Sequence, residues 1–249
     1  MRIRGLVLSA LLLVSPCFAQ TGEKVLNQLT PAQLNSITKQ VDRPALTDAQ
    51  VDAAISLGTS DKHKDGGDIG VTLADMGQRW ANAAAAMGQN GDTSHYAHSG
   101  FGVRLFSPSE WITWQAHEAK RYYMNYTLAD ATVSDRLQVL RVIATPDTPD
   151  SVVAGGGMLA SSSVENVVLR SSNGKGVSQP LSLVPYEREA KNAMGGNAMY
   201  NGMVAIFSMD DVAHLRASDE HGEFLVTVIG EDGKEKSFKL KEKNAQSFN

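Results

Sequence analysis

Apolar residues change their spacing along this chain near residue 130. Before it they recur every three or four positions, the period of a helix packed on one face; after it they alternate or run in short blocks, as strands do. In residues 20–58, Thr30-Pro31-Ala32-Gln33 places threonine at the N-cap, proline at N1 and glutamine at N3, which is a capping box. Leu34, Ile37 and Val41 then share a face. Thr47-Asp48-Ala49-Gln50 repeats the signal 17 residues later, followed by Val51, Ala54 and Ile55, with Gly58 as C-cap. Two copies are too few for a solenoid, so the pattern predicts a helical hairpin.

A polar loop is expected over 59–68, a short apolar run over Ile69–Leu73 and a helix over Ala74–Met87, with Met76, Trp80, Ala83 and Met87 on one side. Gln89–Gly100 reads as a loop. Phe101–Leu105 alternates and predicts a strand, which runs into the clearest helix start of the chain, Ser107-Pro108-Ser109-Glu110. That helix should reach about Tyr123, with Ile112, Ala116, Ala119 and Tyr123 inward and Trp111 and Trp114 flanking them.

Beyond residue 130, Leu137–Ala144 is a strand pattern ended by Pro146 and Pro149. Val164–Arg170 and Gly176–Val184 flank Asn173-Gly174, a hairpin signal. A long loop is expected over 185–201, then a strand over Gly202–Phe207 and a short helical turn capped by Ser208. Glu223–Ile229 and Lys234–Lys241 form a terminal hairpin around Asp232-Gly233, and Lys239 and Lys241 suit an exposed edge. The expected fold class is α+β: N-terminal helices with a C-terminal antiparallel β-sheet, sandwich-like. Residues 20–130 make the mainly helical portion and 131–249 the mainly β portion. No linker separates them, so 20–249 reads as one domain.

The first 19 residues stand apart. Arg2 and Arg4 precede an apolar run from Leu6 to Val14, and Cys17 and Ala19 are small residues at the −3 and −1 positions of a signal-peptidase site. The expected cut lies between Ala19 and Gln20. Lipidation at Cys17 is disfavoured by Pro16 before it. Cys17 is the sole cysteine, so the mature chain holds no disulfide and no thiol ligand. With the leader's style, this points to a bacterial periplasmic or secreted protein whose core stands without staples. Loss of Arg2 and Arg4 leaves 21 basic against 27 acidic residues, a formal charge of −6, which excludes a general nucleic-acid binder. No later segment has the length of a transmembrane helix.

Candidate chemistry is sparse. His95 and His98 lie in one loop and His117 on the following helix; three imidazoles could hold zinc with an open position, with Glu110 or Glu118 as base. His117-Glu118 lacks the second histidine of the metalloprotease helix, and surface histidines explain the pattern as well. Asp61, His63, Asp65 and Asp68 approach a calcium loop, but lysines stand between them and Thr72 replaces the closing glutamate. No nucleophile elbow, Walker loop or dinucleotide fingerprint occurs, so no cofactor is expected. Asp210-Asp211 suits a helix N-terminus. Trp111, Trp114, Tyr122, Tyr123 and Tyr126 form an aromatic cluster that docks the helix, with one or two rings left at the surface.

The sequence therefore predicts a non-enzymatic binding or interaction protein whose partner, an envelope or extracellular ligand or protein, it does not identify. Loops 145–163 and 185–201 are the expected surfaces. The alternative is a metal-dependent hydrolase using His95, His98 and His117.

Overall fold

A computed structural model describes residues 23–25, 29–63, 69–74, 101–146, 153–154, 157–158, 163–191 and 197–241. The helices begin where the capping chemistry places them. Helix α1 is Pro31–Gln40, α2 is Asp48–Gly58 and α3 is Pro108–Arg121. In all three the N-cap hydroxyl (Thr30, Thr47, Ser107) accepts from the N3 backbone amide, and the N3 side chain accepts from the N-cap amide. Helix α4, Met209–Ala217, starts at Ser208, whose hydroxyl accepts from the Asp210 amide. The expected turn at Ser208 is thus a nine-residue helix, made so by burial of Met209, Val212 and Leu215.

Two antiparallel sheets stack as a sandwich. Strands β1 (Glu23–Val25), β2 (Val71–Ala74), β3 (Phe101–Phe106), β4 (Val139–Pro146), β9 (Ser182–Lys191) and β10 (Asn197–Ser208) form a six-stranded sheet in the order β1-β9-β10-β4-β3-β2. Strands β7 (Val164–Ser171), β8 (Val177–Ser178), β11 (Phe224–Gly230) and β12 (Glu235–Leu240) form a four-stranded sheet in the order β12-β11-β7-β8. Two two-residue strands, β5 (Val153–Ala154) and β6 (Gly157–Met158), pair with each other between β4 and β7 in sequence. Strand β3 pairs with β4, so a strand from before residue 130 lies inside the sheet built mainly by the second half.

Period-two alternation sorts side chains between the layers. Val103 and Leu105 of β3, Leu140, Val142 and Ala144 of β4 and Ala205 and Phe207 of β10 meet Val167, Leu169, Phe224, Val226, Val228, Phe238 and Leu240 in the sandwich core. Helix α4 closes one side of it with Val212 and Leu215. The opposite face of the six-stranded sheet is also apolar. Val139, Ile143, Val184, Tyr186, Val204 and Ile206 pack under Ile37, Val41, Trp111 and Trp114 of the helical layer. Helix α2 docks on α3 through Val51, Ala54 and Ile112.

Three further expectations are corrected. Residues 185–201 are no loop: apart from 192–196, which lie outside the described residues, they belong to the β9–β10 hairpin, paired from Ser182↔Ile206 to Lys191↔Asn197. That ladder is held by backbone bonds, so the charged run Glu187-Arg188-Glu189 could join a strand without an alternating pattern. The strand expected over Gly176–Val184 is two strands, β8 and β9, in different sheets. Pro180 sits at the crossing, where its missing N–H costs no ladder bond. Ala74 ends a strand rather than starting a helix; the rest of the expected helix, to Met87, lies outside the described residues.

The α2–α3 contact depends on one missing methyl group. A Cβ on Gly58 would stand 2.1 Å from the Thr113 carbonyl oxygen and 3.1 Å from the Ala116 Cβ. Gly58→Ala should therefore force α2 off α3 and destabilise the protein by about 1–3 kcal/mol in urea denaturation, despite alanine's better helix propensity. An unchanged or raised midpoint would show that the two helices are not in this contact.

Candidate functional site

Helix α3 carries most of the residues to which the sequence assigns chemistry, and the fold divides them. His117 is 4 % exposed, and neither ring nitrogen has a hydrogen-bond partner. The two carboxylates expected beside it are engaged elsewhere. Glu110 Oε2 accepts from the Ser107 amide at 2.8 Å as part of the capping box. Glu118 Oε1 pairs with Arg121 Nη1 at 2.9 Å, while its buried Oε2 has no partner. His95 and His98 lie outside the described residues. Among the described residues no three histidine, cysteine, aspartate or glutamate side chains converge as a metal site. In the calcium-like stretch, the Asp61 carboxylate is taken by Lys120 Nζ at 2.8 Å, Thr72 lies in β2 opposite Arg104, and Asp65 and Asp68 lie outside the described residues.

Below α3 the sheet supplies two arginines among its apolar side chains. Arg141, on the helix-facing side of β4, is only 2 % exposed. Its guanidinium lies 5.0 Å from the Trp111 ring, and Nη2 donates to the Ser134 carbonyl at 2.5 Å. Burial lowers its pKa to about 10, with Asp135 opposing the shift. Arg104 of β3 lies 4.9 Å from the Phe106 ring and donates twice to the Ile69 carbonyl, at 3.0 and 2.9 Å. Phe106, Trp111 and Trp114 stack mutually at 5.0–5.5 Å between ring centres.

Asp135 gathers the polar ends of this cluster. Its Oδ1 accepts from Trp111 Nε1 and Gln115 Nε2, each at 3.0 Å, and its Oδ2 accepts from the Thr132 amide and hydroxyl. The Asp135 carboxylate thereby clamps α3 to the segment that leads into β4. Composition and spacing do not single out Arg141 or Asp135. An arginine amid the β4 apolar run was the available signal, since a buried cation needs partners. Tyr126 completes the group: its hydroxyl is buried without a partner, and burial, then Asp135 and Asp130, push its pKa well above the ordinary tyrosine value.

The aromatic cluster of the sequence is thus split. Trp111 and Trp114 are buried and dock the helix, Tyr126 is half-buried, and Tyr122 and Tyr123 are at the surface with Met124. Tyr123 is fully exposed. No protein family, curated protein or solved structure matches this chain. Its own geometry therefore carries the functional reading.

The backbone at Tyr123 is unusual for a tyrosine. Helix α3 ends in a Schellman turn: the Met124 amide donates to the Ala119 carbonyl at 2.9 Å and the Tyr123 amide to the Lys120 carbonyl at 3.0 Å. The turn needs a left-handed residue at its centre, a place that glycine normally takes. Here φ is +57° at Tyr123, the single non-glycine residue with positive φ among the described residues. A bulky side chain in that conformation costs about 1–2 kcal/mol, and Tyr123 recovers none of it by burial. Lys120 and Arg121 precede the turn. Lys120 Nζ also donates to the Thr59 carbonyl at 2.6 Å, two residues after Leu57, which is exposed at the end of α2.

The pH dependence of folding reports on the buried phenol. The unfolded chain ionises Tyr126 in the ordinary tyrosine range, whereas the folded protein keeps the proton to higher pH. Stability should therefore be unaffected by this group below that range and fall as pH rises through it. Tyr126→Phe is expected to flatten that fall and to leave the phenolate absorbance of the folded protein unchanged; loss of one titrating phenol from the folded state would show that Tyr126 is solvated.

Proposed function

We propose that this is an exported, non-enzymatic binding protein that engages a protein partner through the Tyr122-Tyr123-Met124 turn. The observation that carries the reading is Tyr123: a fully exposed ring held at positive φ where glycine would be less strained. Strain kept without a packing return is a reason to look for a role in recognition. The chemistry of the turn suits one. Tyrosine, methionine and arginine are enriched in protein interfaces, and a rigid turn loses little entropy on binding. The Schellman bonds supply that rigidity, and Lys120 and Arg121 supply a charged rim. The leader ahead of Gln20 supports a site of action outside the cytoplasm, periplasmic or extracellular. Among the described residues no helix is long and apolar enough to cross a membrane.

Placing a photo-crosslinking phenylalanine derivative at position 123 in the producing cell is expected to trap a protein of defined mass, and Met124→Ser in the same chain to abolish the adduct. Tyr123→Gly should be at least as stable as the parent, by up to about 1 kcal/mol, yet compete for that partner about ten-fold less well or worse. A gain in stability with undiminished competition would mean that the turn serves folding alone.

A second reading, a metal-dependent hydrolase, is favoured by His117, because a buried imidazole with two unpartnered nitrogens is what a ligand lacking its metal presents. It requires His95 and His98 as further ligands. Residues 20–249 purified without chelator should then hold about one equivalent of zinc, lost in His117→Ala. Absence of metal, with a melting temperature unmoved by added zinc, would remove this reading.

A further inference from the structure

A second surface lies at the far side of the sandwich, where the four-stranded sheet ends in β8. An open groove of about 560 Å³ runs between β8 and α4, lined by Val177, Gln179, Asp211, His214 and Leu215, with Gln40 of α1 at its rim. Its wall is an unfinished sheet edge. The Ser171 amide donates to the Gly176 carbonyl at 2.9 Å, and the register continues Arg170↔Val177 and Leu169↔Ser178. Bonded and non-bonded pairs alternate in an antiparallel ladder, so with Ser171 and Gly176 bonded, Arg170 and Val177 are the non-bonded pair. The Val177 N–H and C=O therefore point away from β7, into the groove. The Val177 side chain is 57 % exposed on the outer face of the sheet.

The groove floor bears one permanent charge. Asp211 accepts from the Ser178 hydroxyl through Oδ2 at 2.9 Å and makes no ion pair among the described residues, whereas neighbouring Asp210 is matched by Arg43 at 2.8 Å. Ser178 donating to the carboxylate, with no bond to His214, is a strut and not an activated nucleophile. The edge and the floor specify the same kind of ligand. A strand added beside β8 would satisfy the Val177 N–H and C=O, and its residues on either side of the paired one would face α4, over Asp211.

We propose that this groove binds an extended polypeptide segment of a partner as a fifth strand on β8, with a lysine or arginine one position from the paired residue directed at Asp211. The interaction is separate from the Tyr123 turn, and either can fail without the other. Two features limit its strength. Strand β8 offers a single outward N–H and C=O pair, and Asp211 is partly exposed to solvent, so binding of a short peptide is expected in the high-micromolar to millimolar range.

The test uses the mature chain, labelled with nitrogen-15, titrated with a capped heptapeptide of alternating valine and threonine with one lysine. The expected result is a saturable shift of the Val177 and Ser178 amides. The counterpart with glutamate in place of lysine should bind about ten-fold more weakly, and a copy N-methylated at the pairing residue should not bind. Asp211→Asn should weaken the lysine peptide towards the glutamate peptide while Val177 still responds, a readout independent of any change in overall stability. No saturable shift at Val177, or equal affinity for the lysine, glutamate and N-methylated peptides, would overturn the proposal.

Discussion

The six-stranded sheet must be covered on both faces, and the rest of the architecture answers that constraint. Strands β4 and β10 carry apolar side chains on each side: Leu140, Val142, Ala205 and Phe207 towards the second sheet, and Val139, Ile143, Val204 and Ile206 towards the helices. Each buried aliphatic side chain contributes about 1.5–3 kcal/mol relative to exposure, so neither face can be left to water. The four-stranded sheet covers one face and helices α1 and α3 cover the other. With a single cysteine the chain can form no internal disulfide, and it draws its stability from this double burial.

Helix α3 is the element on which that arrangement meets the candidate site. Its inner side buries Trp111 and Trp114 and, through the bonds of Trp111 and Gln115 to Asp135, is tied to the segment before β4, whose Ser134 carbonyl also accepts from the buried Arg141. Arg141 is kept by its stacking on Trp111, its bond to the Ser134 carbonyl and the nearby carboxylate. Removing any one of these partners leaves a cation in a low-dielectric layer, a costly state. The same rigidity sets the direction in which the outer end of the helix points. Because Asp135 and the tryptophans hold α3 at residues 111–115 and the Schellman bonds close its end, the turn presents Tyr122, Tyr123 and Met124 as a fixed feature and not as a loose tail.

The two proposed surfaces differ in what they offer. At the α3 turn, side chains make the surface: aromatic rings and a thioether on a rigid backbone. At β8 the backbone makes it, through one outward-facing N–H and C=O beside a carboxylate. The first favours a partner with a complementary apolar patch, the second any chain able to extend and to bring a cation. They are placed in different layers of the fold, α3 above the six-stranded sheet and β8 at the end of the four-stranded one.

Local chemistry made much of the fold legible in the sequence. Thr30, Thr47 and Ser107 start helices because their hydroxyls and the side chains three positions on satisfy amides that a helix leaves open, an effect confined to four residues. Asn173-Gly174 closes a hairpin by an equally local effect: Gly174 takes φ of +73° without strain. The α+β class followed from period, and the edge position of β12 from the lysines of its outer side. What spacing does not encode is which strand lies beside which. The β9–β10 hairpin, hidden behind a charged run, the passage of the chain between sheets at Pro180 and the burial of Arg141 all arise from pairing and layering between distant residues. The candidate surfaces belong to that second category, since the sequence assigned Tyr123 to the inward face of its helix. Only the turn that ends α3, and the pairing of β8 with β7 at the sheet edge, decided which groups face water.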